Sequence, residues 1–184
     1  MKYIYFLVIL IFPLNSIAAP IFEIKDNLKN TNNIYFKFIQ KINDKIEKGE
    51  CKISYPKKIY CKYEGVFEKV LVSNGRSLII NSKKIKDYLR YDIKDTPLNL
   101  ILDKEFLLKK LDEVDELKTS DETFSFNIEH KNSLVTIFFD KESYDIKGWS
   151  TIDIYQNKVE TVLSNVQTNM MIDQSIFRIQ KYIN

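Results

Sequence analysis

The stretch KVLVSNGRSLII, residues 69–80, constrains the fold of this chain more strongly than any other. Two runs of β-favouring residues flank Asn74 and Gly75, a pair typical of a two-residue type I′ hairpin, in which both turn positions need positive φ. A loop at that position places Leu71 opposite Leu78 on one face of the hairpin. Strands joined by so short a turn run antiparallel, so the stretch predicts an antiparallel sheet.

Alternating apolar residues extend this pattern along most of the chain. Ile34, Phe36 and Phe38 alternate as on a half-buried strand, and two later segments each have the pattern strand, polar turn, strand. We predict roughly nine or ten strands, one amphipathic helix before them and two short helices in mid-sheet. In the first of those two, Thr96 is the expected N-cap and Pro97 the first helical residue. The predicted fold class is α+β, with a large sheet that curls around an apolar cavity.

The N-terminus has the three parts of a secretory signal peptide. Lys2 supplies the positive charge, and the apolar run YIYFLVILIFPL is shorter than the ~20 residues that span a bilayer as a helix. Ser16 and Ala18 then have the spacing of a signal-peptidase site. We predict a signal peptide over residues 1–18, cleaved after Ala18, and one exported domain over residues 19–184. Because no cysteine lies near the cut, we expect this domain to lack an N-terminal lipid anchor.

Composition and motifs give little support for catalysis or nucleic-acid binding. The formal net charge is only +3 at pH 7, and basic residues do not cluster with aromatic ones. The lone histidine, His130, has no further ligand at metal-binding spacing, which favours a solvated turn residue. The chain has no Gly-rich phosphate loop and no nucleophile elbow. We expect no enzyme, cofactor or metal site; an exported hydrolase whose carboxylates meet only in space stays open as an alternative.

Both cysteines lie in GECKISYPKKIYCKYE, on either side of a proline. Zinc needs two further ligands and a catalytic redox pair usually forms a C-x-x-C turn, so a disulfide is favoured in an exported protein. A hairpin loop centred on Pro56 places Cys51 directly opposite Cys61, close enough for the bond. A loop centred on Lys57 places Cys51 opposite Tyr63 and makes the bond diagonal. The predicted disulfide therefore depends on the register of this hairpin.

Several motifs follow one another in a fixed order over residues 20–180. They are an opening amphipathic helix, an F-x-Q strand with Phe38 and Gln40, the cysteine hairpin, the V-S-N-G hairpin with Leu78, the helix start Thr96-Pro97-Leu98, and a closing segment that ends in Asp173 and Phe177. This succession resembles the LolA family of periplasmic outer-membrane lipoprotein carriers. Each motif alone is weak, and their order and spacing carry the resemblance.

The resemblance implies a curved antiparallel sheet, an incomplete barrel of the LolA/LolB kind, closed by a helical lid. Its apolar interior would take the acyl chains of lipoproteins from an inner-membrane lipoprotein-releasing ABC transporter and pass them to an outer-membrane acceptor. The implied protein is a monomeric periplasmic chaperone. The absent lipid-attachment cysteine favours the carrier over the anchored acceptor, and whether this chain has such an acceptor as a partner stays open. The alternative is an exported lipid-binding sensor or interaction module of the same fold that carries no cargo.

Apolar residues on the inner faces of the sheet and lid are the candidate lipid contacts, although core packing demands the same residue types. They are Phe36, Phe38, Ile53, Tyr55, Ile59, Leu71, Leu78, Ile80, Leu98, Ile101 and Leu102. Trp149 is expected to pack in the core at a strand start.

This chain departs from the family pattern at one position. Before the hairpin proline, where the family commonly has an arginine implicated in holding the lid, this chain has Tyr55. A tyrosine hydroxyl can bond to lid backbone but is uncharged at neutral pH. Lys57 and Lys58 are the alternative replacements, although an ammonium lacks the bidentate geometry of a guanidinium.

Overall fold

The computed structural model describes residues 20–82, 87–130, 133–153 and 155–183. The predicted signal peptide and the side chain of His130 lie outside this part of the chain. The helices are α1 (Pro20–Asn30), α2 (Leu98–Leu102) and α3 (Lys104–Asp112). The strands are β1 (Asn33–Ile42), β2 (Lys45–Ser54), β3 (Lys58–Tyr63), β4 (Lys69–Asn74), β5 (Ser77–Ser82), β6 (Asp87–Asp92), β7 (Lys118–Thr119), β8 (Thr123–His130), β9 (Ser133–Asp140), β10 (Ile146–Ile152) and β11 (Lys158–Thr168). Short 3₁₀ helices cover Ile93–Asp95, Gln174–Phe177 and Ile179–Tyr182.

All the described strands form one antiparallel sheet, in the order β6-β5-β4-β3-β2-β1-β11-β10-β9-β8-β7. The sheet is strongly curved, since Tyr91 of edge strand β6 and Tyr155, in the turn between β10 and β11, line the same cavity. The curvature therefore brings one edge of the sheet toward the opposite wall. The curved open sheet with a few helices confirms the predicted fold class. The described residues form eleven strands, more than the predicted nine or ten, and β7 is too short for alternation to reveal it.

The hydrophobic core lies on the concave face, because alternate residues of a strand point to the same side. On β1, Ile34, Phe36 and Phe38 are all buried, as their alternation predicts. Helix α1 adds Ile24 and Leu28 to the same core, which confirms the predicted amphipathic helix. In the described part of the chain, no helix is both long enough and apolar enough to span a bilayer.

The hairpin between β4 and β5 is present, but the predicted register is wrong. Leu71 lies opposite Ile80 and Leu78 opposite Ser73, so the two turn residues are Gly75 and Arg76. The Asn74 carboxamide oxygen accepts hydrogen bonds from the backbone N–H groups of Arg76, at 3.0 Å, and Ser77, at 2.9 Å. Gly75 has φ +95° at the first turn position, the place where a type II′ turn needs glycine. The shift of two residues leaves Leu71 and Leu78 on the same face.

The two predicted mid-sheet helices, α2 and α3, pack against the concave face. Asp103 separates them, and its carboxylate accepts a hydrogen bond from the Phe106 N–H at 3.2 Å, which caps α3. The predicted Thr96 cap is wrong. Its hydroxyl donates instead to the carbonyl of Ile93 at 2.9 Å, and α2 begins at Leu98 without a side-chain cap. Thr96 ends the preceding 3₁₀ helix, and this local bond occupies its hydroxyl.

Candidate functional site

An apolar cavity of about 240 Å³ lies between the concave face of the sheet and helix α2. Inward-facing residues of β1 to β6 form most of its wall, and Leu98 and Ile101 of α2 form its lid side. Trp149 of β10 faces the cavity and also packs edge-on against Phe36, with ring centroids 6.0 Å apart. The expected core position of Trp149 is confirmed, and the same ring is part of the cavity wall.

The structure divides the eleven predicted lipid contacts into two groups. Seven line the cavity: Phe38, Ile59, Leu71, Leu78, Ile80, Leu98 and Ile101. Four pack in the surrounding core and do not line it: Phe36, Ile53, Tyr55 and Leu102. Contact with lipid stays a prediction for all of them. Alternation identifies the inner face of each strand, but the curvature of the sheet decides which inward residues border open space.

Sequence reasoning did not place polar residues in this cavity, yet several line it. Gln40, at the end of β1, donates a hydrogen bond from its amide to the Thr161 hydroxyl at 3.0 Å, so the two satisfy one another. Asp153 and Tyr155 line the cavity from the turn between β10 and β11. Gln40 follows the inward alternation of Phe36 and Phe38, so the strand period was a signal that could have placed it here.

The predicted disulfide joins Cys51 and Cys61. Cys51 lies directly opposite Cys61 and Ile53 opposite Ile59, so the hairpin is centred on Pro56 and the alternative centre at Lys57 is wrong. The two Cα atoms are 4.1 Å apart. Both cysteines are buried and line the cavity, so the bond crosslinks its wall.

Of the two lysines considered in place of the family arginine, Lys57 contacts the lid. Its ammonium lies 2.8 Å from the Asp103 carboxylate, at the junction of α2 and α3. Its backbone N–H donates to the carbonyl of Leu102, the last residue of α2, at 2.9 Å. Lys58 points elsewhere and donates to the side chain of Gln174 at 3.2 Å. The tip of the cysteine hairpin is therefore tied to the lid by one ion pair and one backbone hydrogen bond.

Tyr55 does not make the hydrogen bond to lid backbone that the sequence allowed. Its hydroxyl is buried, and it has no hydrogen-bond partner among the described residues. Burial raises the pKa of this hydroxyl well above its usual range. The ammonium of Lys104, on α3, lies 5.8 Å from the centre of the Tyr55 ring. That ammonium also donates to the carbonyls of Lys29, at 3.1 Å, and Thr31, at 3.0 Å, and so connects α3 to the end of α1.

A charged cluster borders the cavity at the end away from the lid. The Lys69 ammonium lies 3.8 Å from the centre of the Tyr63 ring and forms an ion pair with Glu47. Glu47 has a second partner in Lys45, at 2.6 Å. Desolvation favours the neutral acid, but hydrogen bonds from both lysines outweigh it and lower the pKa of Glu47. Desolvation also lowers the pKa of Lys69, against the stabilising effect of Glu47.

Among the described residues, no group of three or more His, Cys, Asp and Glu side chains is arranged to hold a metal ion. The arrangement is that of an apolar compartment with a closed lid and a charged rim. Such a site can shield apolar groups from water.

Two solved structures share this fold. An uncharacterized conserved protein from Thermus thermophilus superposes with a TM-score of 0.52 at 4% identity, over 86% of this chain and 91% of that one. A putative outer membrane lipoprotein-sorting protein domain from Vibrio parahaemolyticus gives a TM-score of 0.51 at 9% identity, over 90% and 97%. At such identities the likeness shows the fold alone.

Sequence comparison gives the family. No curated protein matches this chain. The family model described as "Outer membrane lipoprotein carrier protein LolA" matches residues 22–180, which is most of the chain. The chain therefore belongs to the LolA family.

Proposed function

We propose that this protein is a periplasmic chaperone that carries lipoproteins from the inner to the outer membrane and shields their acyl chains in the cavity. The observation that carries the proposal is the apolar compartment beneath α2, in a chain of the LolA family. Moving an acyl chain from water into such a compartment contributes ~0.8 kcal/mol for each buried CH₂ group. A binding role of this kind needs no catalytic residues.

The size of the cavity requires the lid to move during transport. Its volume is about 240 Å³, below the ~300–1,000 Å³ of typical ligand pockets. This is too small for the several acyl chains of a lipoprotein, so α2 must swing away from the sheet when cargo enters. The ion pair between Lys57 and Asp103 is partly solvated, and pairs of this kind typically contribute ~0.2–1 kcal/mol. The ion pair therefore adds little to the cost of opening. The larger cost is exposure of the buried Ile101 and Leu102, which incoming acyl chains would cover again.

The proposed partners are acylated lipoproteins, an inner-membrane lipoprotein-releasing ABC transporter and, where one exists, an outer-membrane acceptor. The test is a release assay in which the purified protein, without residues 1–18, is added to inner-membrane preparations that contain the transporter and ATP. We expect lipoprotein to appear in the soluble fraction in complex with the protein. A Leu71→Trp variant, whose indole fills the cavity, should release much less. No release by the natural protein, with a known carrier as positive control, would contradict the proposal.

A second candidate function is a lipid-binding sensor or interaction module that holds its ligand and does not shuttle it. The small volume favours this alternative, because it suits one short apolar group better than a lipoprotein. Ligand exchange separates the two functions. A carrier gives up its ligand to acceptor vesicles, whereas a sensor keeps it through the same incubation.

A further inference from the structure

One basic side chain lines the cavity wall in the described part of the chain, that of Lys69. The neighbouring inward positions of β3 to β5 are apolar or aromatic, namely Tyr63, Leu71 and Ile80. The Lys69 side chain keeps 27% of its surface exposed, so it reaches from the cavity to solvent. An ammonium beside an apolar cavity loses hydration, which costs free energy unless a negative group compensates.

Glu47 neutralises the positive charge of Lys69 only in part, because its carboxylate also pairs with Lys45. The three side chains together carry one net positive charge. Glu47 does not line the cavity, whereas Lys69 does. The ammonium of Lys69 therefore presents a positive charge to anything that occupies the cavity, while Lys45 can hold Glu47 in place from the outside.

The one acidic side chain among the described residues of the cavity wall, Asp153, is already occupied. Its carboxylate accepts hydrogen bonds from the backbone N–H groups of Tyr155, at 2.8 Å, and Asn157, at 2.9 Å. It also accepts one from the Asn157 side-chain amide at 3.0 Å. These bonds stabilise the turn between β10 and β11 and occupy the Asp153 carboxylate. Lys69 is then the charged group available to a ligand.

Lys69 and the lid lie at opposite ends of the cavity. Lys69 begins β4, and Asn74, the last residue of that strand, pairs with Lys58 beside the lid-contacting hairpin tip. The inward residue of β4 between these ends is Leu71, which lines the cavity. The wall is thus charged at one end and apolar toward Leu98 and Ile101, which matches a molecule with a charged head and an apolar tail.

We propose that the cavity binds an amphiphile with one acyl chain and an anionic head, with the head on the Lys69 ammonium and the tail beneath α2. This inference rests on the proposed acyl-shielding function and adds a ligand class to it. The anionic head is a carboxylate or a phosphate, both of which accept hydrogen bonds from an ammonium. The volume of about 240 Å³ suits a single short chain.

The test compares ligands that share a tail and differ in the head. The purified protein is titrated with dodecanoate, dodecyl phosphate and dodecanol below their micelle concentrations, at neutral pH and low salt, by calorimetry. We expect at least one anionic ligand to bind about tenfold more tightly than the alcohol, a difference of ~1.4 kcal/mol. The two anionic ligands show whether a carboxylate or a phosphate is preferred.

Two variants assign the preference to Lys69. Lys69→Met should bring the anionic and neutral ligands to within about twofold of each other, because the loss of the charge removes the charge-assisted hydrogen bond. Lys37→Met is the matched control: it removes one positive charge from an exposed position of β1 outside the cavity wall and should keep the preference. If Lys69→Met fails to fold, Glu47→Gln tests the same point, since it frees Lys69 and should tighten anionic binding further.

The possible results are distinct. Equal binding of dodecanoate, dodecyl phosphate and dodecanol by the natural protein overturns the inference, as does a preference that survives Lys69→Met; the ion pair with Glu47 is then structural only. Dodecanol binding without an anionic preference leaves the acyl-shielding function standing. Failure of all three ligands to bind contradicts the shielding function itself, and the inference falls with it.

Discussion

At the scale of single residues, the tip of the cysteine hairpin combines a crosslink and a lid contact within a few positions. The disulfide between Cys51 and Cys61 fixes the two strands. The loop between these strands brings Lys57 to Asp103 and Leu102 at the lid. The crosslinked hairpin thus positions a residue that contacts the lid.

The disulfide should contribute to stability. Closing a loop of this size restricts the unfolded chain, and we expect the double variant Cys51→Ala/Cys61→Ala to lose about 2 kcal/mol of unfolding free energy. Urea unfolding of the oxidised protein and the variant measures this difference. Intact mass before and after reduction confirms that the bond is formed in the natural protein. An unchanged urea midpoint in the variant would contradict the prediction.

Asp140 should make the free energy of unfolding depend on pH. The Lys147 ammonium at 2.7 Å and the N–H groups of Ser143 and Glu142 lower its pKa from 3.8 to about 2. The stabilisation is therefore complete above the ordinary pKa and disappears as the pH falls toward 2.

Asp140→Asn isolates this effect, because its amide oxygen keeps the turn hydrogen bonds and loses only the charge. We expect the variant to be less stable than the natural protein by about 1 kcal/mol at neutral pH, since the pair is partly solvated. The difference should vanish near pH 2. Urea unfolding at both pH values measures it; a difference that persists in acid would show that charge is not the cause.

At the scale of helices and strands, alternation predicted most of the sheet but could not fix every register. For the cysteine hairpin, the apolar faces allowed two centres, and the centre at Pro56 was confirmed. For the hairpin at Gly75, the Asn74 side chain accepts hydrogen bonds from the backbone N–H groups of Arg76 and Ser77, and these bonds favour a register two residues away from the predicted one. Turn chemistry of this kind depends on atomic contacts that a strand period does not encode.

The same limit applies to the cavity. Phe36 and Phe38 lie on one face of β1 and are both buried, yet only Phe38 lines the cavity. An apolar strand face has the same pattern whether it meets packed side chains or open space. The sequence offered both Lys57 and Lys58 as replacements for the family arginine and could not choose between them. The lid partner of Lys57, Asp103, lies 46 positions further along the chain.

The lid should loosen when its ion pair is removed. Asp103→Asn deletes the charge, while the amide oxygen can still accept the Phe106 N–H that caps α3. We expect the amides of α2 to exchange hydrogen a few-fold faster, in line with the loss of ~0.2–1 kcal/mol. Lys57→Met should have the same effect. Hydrogen exchange followed by mass spectrometry measures both.

Lys58→Met is the control for the lid variants, because Lys58 bonds to Gln174 and has no contact with α2 among those described. Its α2 amides should exchange at the natural rate. Natural protection of α2 in all three variants would mean that the ion pair does not hold the lid, and that apolar packing and the Lys57–Leu102 backbone hydrogen bond do.

At the scale of the whole molecule, one curved sheet provides both the wall and the opening of the compartment. Tyr91 of the edge strand β6 and Tyr155 of the opposite wall line the same cavity, while α2 and α3 cover the concave face. The open sheet encloses an apolar space together with its helices. This arrangement suits the reversible shielding of acyl chains that we propose.

The most direct measurement is native mass spectrometry of the protein purified from its host cells without detergent. We predict a non-covalent acyl-chain ligand on the natural protein and its loss in Leu71→Trp, whose fold is checked by circular dichroism. Leu134→Trp, at an exposed position of β9 outside the cavity, should keep the ligand. A natural protein that carries no lipid, and takes none up from added lipoprotein, would contradict the account; so would a ligand retained in full by Leu71→Trp.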